Sequence, residues 1–217
     1  MRRLTLVLLT VLVALPLGEG DAQIIRAPGP RLREPQNWAS AGIGLQQGWS
    51  VTDGATASRW DLGDSQTYFA GVEHAVAGGV TLGVRASTAH TSLRYVSTGA
   101  GVIVTDADAR VSQAIGVLHI TSGRELHSVI ELGAGATFYS GFKARGTGAN
   151  LEPRKTDADF TFVLGYGIGY SFSRTFQIDV VQDLATALHQ KTQLAAGDDS
   201  SARISVTRLV ARIALGG

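Results

Sequence analysis

Cysteine is absent from the 217-residue chain, which removes a disulfide framework and a thiolate metal site together. A lipid-anchored N-terminus goes with them, because no cysteine follows the apolar leader. Net charge is also missing: 19 basic against 18 acidic side chains leave +1, so composition makes no case for a nucleic-acid partner. The apolar run Leu4–Leu17 falls short of the roughly 17 to 25 residues of a transmembrane helix. It lies between Arg2-Arg3 and the small residues Gly20 and Ala22, the layout of a secretory signal peptide over residues 1–22 with cleavage before Gln23; an uncleaved anchor is the alternative. Residues 23–37, with Pro28, Pro30 and Pro35 and no periodicity, read as a periplasmic tether.

Glycine is plentiful. Its 27 residues exceed the usual share of about 7%, and their placement is informative. From Asp157 to Leu188 the residues Phe160, Phe162, Leu164, Tyr166, Ile168 and Tyr170 hold one parity, and Thr161, Gly165, Gly167 and Gly169 the other. After Phe172-Ser173-Arg174-Thr175 the alternation resumes with Phe176, Ile178, Val180 and Leu184 against Gln177, Asp179 and Asp183. A period of two marks strands, and each is long enough to cross a bilayer, which takes about 9 to 11 tilted residues.

The same pattern recurs along 38–217. Ala39, Ala41, Ile43, Leu45 and Trp49 oppose Ser40, Gly42, Gly44 and Gln46. Beyond a polar connection, Tyr68, Ala70, Val72 and Val76 oppose Gly71 and Glu73, and after Ala77-Gly78-Gly79 come Val80, Leu82 and Val84 against Gly83 and Arg85. A long connection over 91–109, partly apolar at Val102–Val104, is expected to include strand ends that project past the membrane. Val111, Ile115 and Val117 then oppose Ser112, Ala114 and Gly116, and Leu126, Ile130 and Leu132 oppose His127, Glu131 and Gly133. The last strand, about 203–215, has Leu209, Ala211 and Ile213 opposite Arg208 and Arg212, but Ile204 and Val206 share the arginine parity; a bulge would reconcile them.

Connections alternate long and short through about eight strands. This is the habit of outer-membrane barrels, with short periplasmic turns and longer extracellular loops. The strand glycines fall on the non-apolar parity, as expected where an eight-stranded interior holds only side chains. Aromatic residues gather near strand ends, with Trp49, Tyr68, Phe138 and Phe160 toward the loops and Tyr170 and Phe176 toward the turns, where girdles meet headgroups.

In these features residues 38–215 resemble the small eight-stranded outer-membrane β-barrel proteins, the family of the OmpA transmembrane domain, OmpX and OmpW. The resemblance implies an all-β, antiparallel up-and-down barrel in the outer membrane of a Gram-negative-type bacterium. It further implies insertion by the barrel assembly machinery, outer-membrane lipid as surroundings, a monomer, and roles from structural support to adhesion, defence or solute passage. The reading taken is a non-enzymatic structural, adhesive or binding protein with a plugged polar lumen, and no catalytic residue, cofactor or metal is assigned.

Two alternatives stand beside it. A lipid A-modifying enzyme would use His90 and Ser92, a His-x-Ser pair like that of the lipid A deacylase barrels, with an orienting carboxylate that the sequence does not fix. A secreted lipocalin-like carrier of an apolar ligand would need the apolar parity to point inward. Acid pairs at Asp106 and Asp108, Asp157 and Asp159, and Asp198-Asp199 resemble calcium ligands or the acidic proteases of the outer membrane, which need a larger barrel; solvated loop charge accounts for them more simply. His74 and His119 are read as lipid-parity residues near the periplasmic rim. Gly165, Gly167 and Gly169 alternate within a strand and make no phosphate loop.

Seven charged residues share the interior parity: Glu73, Arg85, Glu131, Asp179, Asp183, Arg208 and Arg212. Buried charges must be paired or hydrated, so a lumen ion network is expected. One antiparallel register sets both Asp179 opposite Arg212 and Asp183 opposite Arg208, with Arg85 and Glu131 at similar height.

Overall fold

A computed structural model describes residues 36–54, 56–97, 102–189 and 201–215. The proposed signal peptide, the tether before Gln36, and the loop around Asp198-Asp199 lie outside the described residues. Asn37, read above as the end of the tether, is the first residue of a strand.

Among the described residues ten strands form one antiparallel sheet: β1 (Asn37–Gln46), β2 (Trp49–Asp53), β3 (Ser58–Leu62), β4 (Ser65–Ala77), β5 (Val80–Ser97), β6 (Ile103–Gly123), β7 (Leu126–Ala144), β8 (Asp157–Ser173), β9 (Phe176–Leu188) and β10 (Ser201–Leu215). Eight of them close a ring, since β4 to β10 pair in succession and β1 pairs with both β4 and β10. Closure leaves this ring without an open edge. At the seam Asn37 stands opposite both Leu215 and His74.

The short turns fall at Gly78-Gly79, Arg124-Glu125 and Arg174-Thr175; the second lies just beyond Ser122-Gly123, where the sequence suggests it, because those two residues still pair with Ser128 and His127. Gly79 has a φ of +72°, a conformation that a side chain strongly disfavours.

At the outer end the strands run further than the sequence suggests. β5, β6 and β7 span 18, 21 and 19 residues, well beyond the 9 to 11 or so that a bilayer requires, so most of the long connection over 91–109 is strand, as Ser97 pairs with Ile103. The polar stretch after the first strand is also ordered. It forms the β2–β3 hairpin, and β3 continues the sheet by pairing with β5 from Leu62↔Leu93 to Ser58↔Ser97.

Side chains sort by face as the barrel reading requires. Exposed outward residues include Ile43, Val72, Val84, Ile130, Leu132, Phe162, Leu164, Val180, Leu184 and Leu209, which form the apolar belt a membrane would cover. Glu131, Asp179, Asp183, Arg208 and Arg212 are buried within.

Three assignments need correction. Trp49 is not in the outer girdle: the chain steps out of strand geometry at Gln47-Gly48, where the Gly48 N–H donates to Asp64 Oδ1 at 2.6 Å. The step reverses the parity, and Trp49 and Val51 point inward. On β6 the faces are exchanged, so Val111, Ile115, Val117 and His119 are buried in the lumen and Ser112, Ala114 and Gly116 lie on the outer parity. The cause is cross-strand sterics: Ile115 and Val117 stand opposite Gly135 and Gly133 of β7, and a Cβ on Gly133 would come within 2.7 Å of Ile115 Cγ2. Large residues of one strand fill space that glycines of the next leave open, as close packing demands. Gly116 is thus the exception to the inward glycines.

The third correction concerns β10, whose register with β9 is unbroken from Ser201↔Leu188 to Ile213↔Phe176. No bulge is needed, because Ala202, Ile204 and Val206 do face inward. They join an apolar core in the outer half of the barrel with Trp49, Val51, Trp60, Leu62, Tyr139 and Phe142.

Candidate functional site

The lumen holds two layers. In the inner layer Arg208 grips Asp183 with two nitrogens, Nε to Oδ2 at 2.6 Å and Nη2 to Oδ1 at 3.0 Å, and also bonds Glu131. Arg85 crosses from β5 to both acids, at 2.7 Å to Glu131 Oε2 and 3.1 Å to Asp183 Oδ2. His119 Nδ1 lies 2.9 Å from Glu131 Oε1. Each carboxylate therefore meets two arginines, the forked arrangement that guanidinium geometry favours.

Toward the turns, Arg212 Nη2 donates to Glu73 Oε2 at 2.6 Å and Nη1 to Gln177 Oε1 at 2.9 Å, while the Thr81 hydroxyl donates to Glu73. Asp179 pairs with His127 Nε2 at 3.0 Å. Arg208 lies over the Phe69 ring and Arg212 over Trp38, at 5.3 and 5.1 Å from the centroids, which adds cation–π attraction. Glycine again supplies the room, for a Cβ on Gly165 would press on Asp183 and one on Gly169 would collide with Asp179 and His127.

The structure brings six of the seven lumen charges into two clusters, and Asp179 into a third contact. The register differs from the expected one by two residues. Asp183 stands opposite Val206 and Asp179 opposite Val210, so Arg208 reaches Asp183 on the diagonal, and Asp179 takes a histidine in place of Arg212. His119 belongs to the network because of the β6 exchange, and the sequence pattern missed it. His74 does face outward, with Nδ1 2.8 Å from Asn37 Oδ1.

The space left among Ser40, Glu73, Arg85, Glu131, Arg208 and Arg212 is about 10 Å³, room for roughly one water. Above it the apolar layer closes the bore. Trp60 is fully buried and packs on Tyr139, Phe142 and His189, with ring centroids 5.6, 4.8 and 5.1 Å away.

His90 and Ser92 lie exposed on the outer face of β5, and Ser92 stands opposite Asp108 of β6. Asp108 is occupied by Arg145, whose Nε and Nη2 reach Oδ1 at 2.9 and 2.6 Å. The Arg145 hydrogen bond holds the Asp108 carboxyl below the usual range. Among the described residues no hydrogen bond joins His90 to Ser92.

One acid pair is not solvated loop charge. Asp159 is buried at the outer end of β8, where His189, the first residue beyond β9, places Nδ1 at 3.0 and 2.9 Å from its two oxygens. Asp157 Oδ2 lies 4.0 Å from the same nitrogen, and Asp53 Oδ1 3.7 Å from Nε2. Burial by itself would lower the His189 pKa, but the Asp159 and Asp53 carboxylates outweigh it and hold the ring up to about 9. The register Phe160↔Leu188 creates this cluster. Two aspartates spaced i, i+2 on one strand and a histidine at the end of the next were its only trace in the sequence.

No protein-family model matches the chain, and no curated protein matches it. Solved structures do. Neisserial surface protein A aligns with a TM-score of 0.53 at 8% identity, over 82% of this chain and 97% of that one. The chain has the fold of the small eight-stranded β-barrels of the outer membrane. Ail, the attachment invasion locus protein of Yersinia pestis, aligns at TM-score 0.43 and 16% identity over 82% of this chain and 99% of Ail. The N-terminal barrel domain of Pseudomonas aeruginosa OprF gives 0.45 and 10% over 83% and 100%. At 8% identity the likeness to Neisserial surface protein A speaks for the fold, and the apolar belt on the outward face of the barrel supplies the physical reason for a membrane.

Proposed function

We propose that this barrel is a non-enzymatic, non-conducting outer-membrane protein whose extracellular extension carries a structural, adhesive or binding role. It sits in outer-membrane lipid as a monomer, inserted by the barrel assembly machinery. The observation that carries the reading is the doubly closed lumen, a paired ion layer beneath an apolar layer centred on Trp60. Small-solute passage would require both layers to part, and unpairing buried charges is costly. The extension of β5, β6 and β7 past the belt supports an outward-facing role, since it raises a stiff sheet above the bilayer. For a lipid A-modifying enzyme, the carboxylate opposite Ser92 is already held by Arg145. Purified barrel reconstituted in planar bilayers is expected to show no steady conductance; stable porin-sized steps would overturn the proposal.

A further inference from the structure

At the outer end of the lumen, Asp157, Asp159 and His189 converge with Asp53 behind the ring, and we propose that they form a binding site for one divalent transition-metal ion of the zinc or manganese kind. The ligand atoms of Asp157, Asp159 and His189 all lie within 4.8 Å of one another. His189 Nδ1 is 2.9 Å from Asp159 Oδ2 and 4.0 Å from Asp157 Oδ2, and donors at about 2.0 to 2.2 Å from a shared ion stand roughly 3.0 to 3.5 Å apart. Small side-chain rotations bring the three to that spacing.

The surroundings are those of a ligand site. A metal-bound imidazole ordinarily directs its second ring nitrogen at a carboxylate, and Asp53 Oδ1 occupies that position, 3.7 Å from Nε2. Asp53 is itself positioned through its other oxygen, which accepts the Thr56 hydroxyl at 2.7 Å. The Tyr139 side chain is fully buried, and its phenol faces Asp159. Asp159 and His189 are closed off, whereas the Asp157 side chain is 38% exposed, so the site opens to the outside through Asp157.

Charge points the same way. Three carboxylates face one imidazole, and a dication balances them better than a single ring proton. Binding displaces the Nδ1 proton that Asp159 otherwise receives. One nitrogen with two carboxylates suits zinc or manganese, whereas calcium prefers six to eight oxygens. The ion would tie β2, through Asp53, to β8 and the end of β9, fixing the β2–β3 hairpin over the barrel mouth.

The test uses the full-length folded barrel in detergent, stripped with EDTA and titrated with Zn²⁺, and separately with Co²⁺ for its visible absorption. The expected result is saturable 1:1 binding, cobalt bands of a nitrogen–oxygen site, and a higher unfolding temperature with Zn²⁺, with Ca²⁺ inert. Asp157→Asn, at a partly exposed position that tolerates the change, should weaken Zn²⁺ binding about tenfold or more. His189→Gln should abolish the cobalt bands, and the exposed-histidine control His74→Ala should change nothing. Absence of saturable binding, full affinity in Asp157→Asn, or loss of binding in His74→Ala would each overturn the site. Should His189→Gln fail to fold, the Asp157→Asn and His74→Ala arms still decide.

Discussion

Arg208 makes the most demanding set of contacts in the lumen, because two buried acids depend on it. Arg208→Ala leaves Asp183 with Arg85 alone and Glu131 with Arg85 and His119, and is expected to cost about 3 to 5 kcal/mol. Asp183→Ala together with Arg208→Ala should cost less than the sum of the two single changes, since the double variant removes both members of one pair. Urea unfolding in lipid vesicles measures all three, and strict additivity would show that the pair contributes nothing. A milder case lies above the membrane. The hydrogen bond from Arg145 lowers the Asp108 pKa, so what this pair contributes is present at neutral pH and is lost as pH falls through the lowered pKa. In Arg145→Ala a carboxyl NMR titration should find Asp108 returned upward toward the ordinary aspartate value.

Among the strands, β6 is the sharpest test of which face meets lipid. Leu164 on β8 is exposed on the outer belt, and Leu164→Arg should cost about 2 to 4 kcal/mol if it lies near the bilayer midplane. Ala114 is also exposed on the outer face, although its neighbours Val111, Ile115 and Val117 look the better lipid anchors. Ala114→Arg should therefore also impair folding into vesicles, whereas Ala114→Leu should fold at least as well as the parent; a folding defect in Ala114→Leu as severe as in Ile115→Asp would return Ala114 to the lumen. The β2–β3 hairpin shows the same dependence on context. Its polar sequence reads as a loop, and it is strand because β5 extends far enough to pair with it.

For the whole molecule, ring closure and the double-layered interior predict a barrel that resists detergent until heated. Unboiled samples are expected to migrate differently from boiled ones on a gel, with the protein recovered in the outer-membrane fraction. Identical migration together with recovery from the soluble periplasm would favour the carrier reading, which needs an apolar interior. The lumen does have an apolar outer half, but aromatic rings pack into it.

The sequence by itself determined the eight strands of the closed ring, the alternation of short and long connections, and the outward parity of β1, β4, β5, β7, β8 and β9, because period-two hydrophobicity and turn glycines are local signals. It also placed seven charges in the lumen, since a polar residue on the interior parity of a membrane strand has no other place to go. Only the tertiary structure decided which faces of β2, β3 and β6 point inward and which acid meets which base. Parity cannot be read through a break such as Gln47-Gly48, and over 111–120 of β6 neither face carries an acidic residue, a lysine or an arginine, so only the glycines of β7 fix the choice. The pairing of Asp179 with His127 and the meeting of Asp53, Asp157, Asp159 and His189 depend on registers between distant strands. Those registers are set by how side chains fill one narrow interior, and no single strand carries that information.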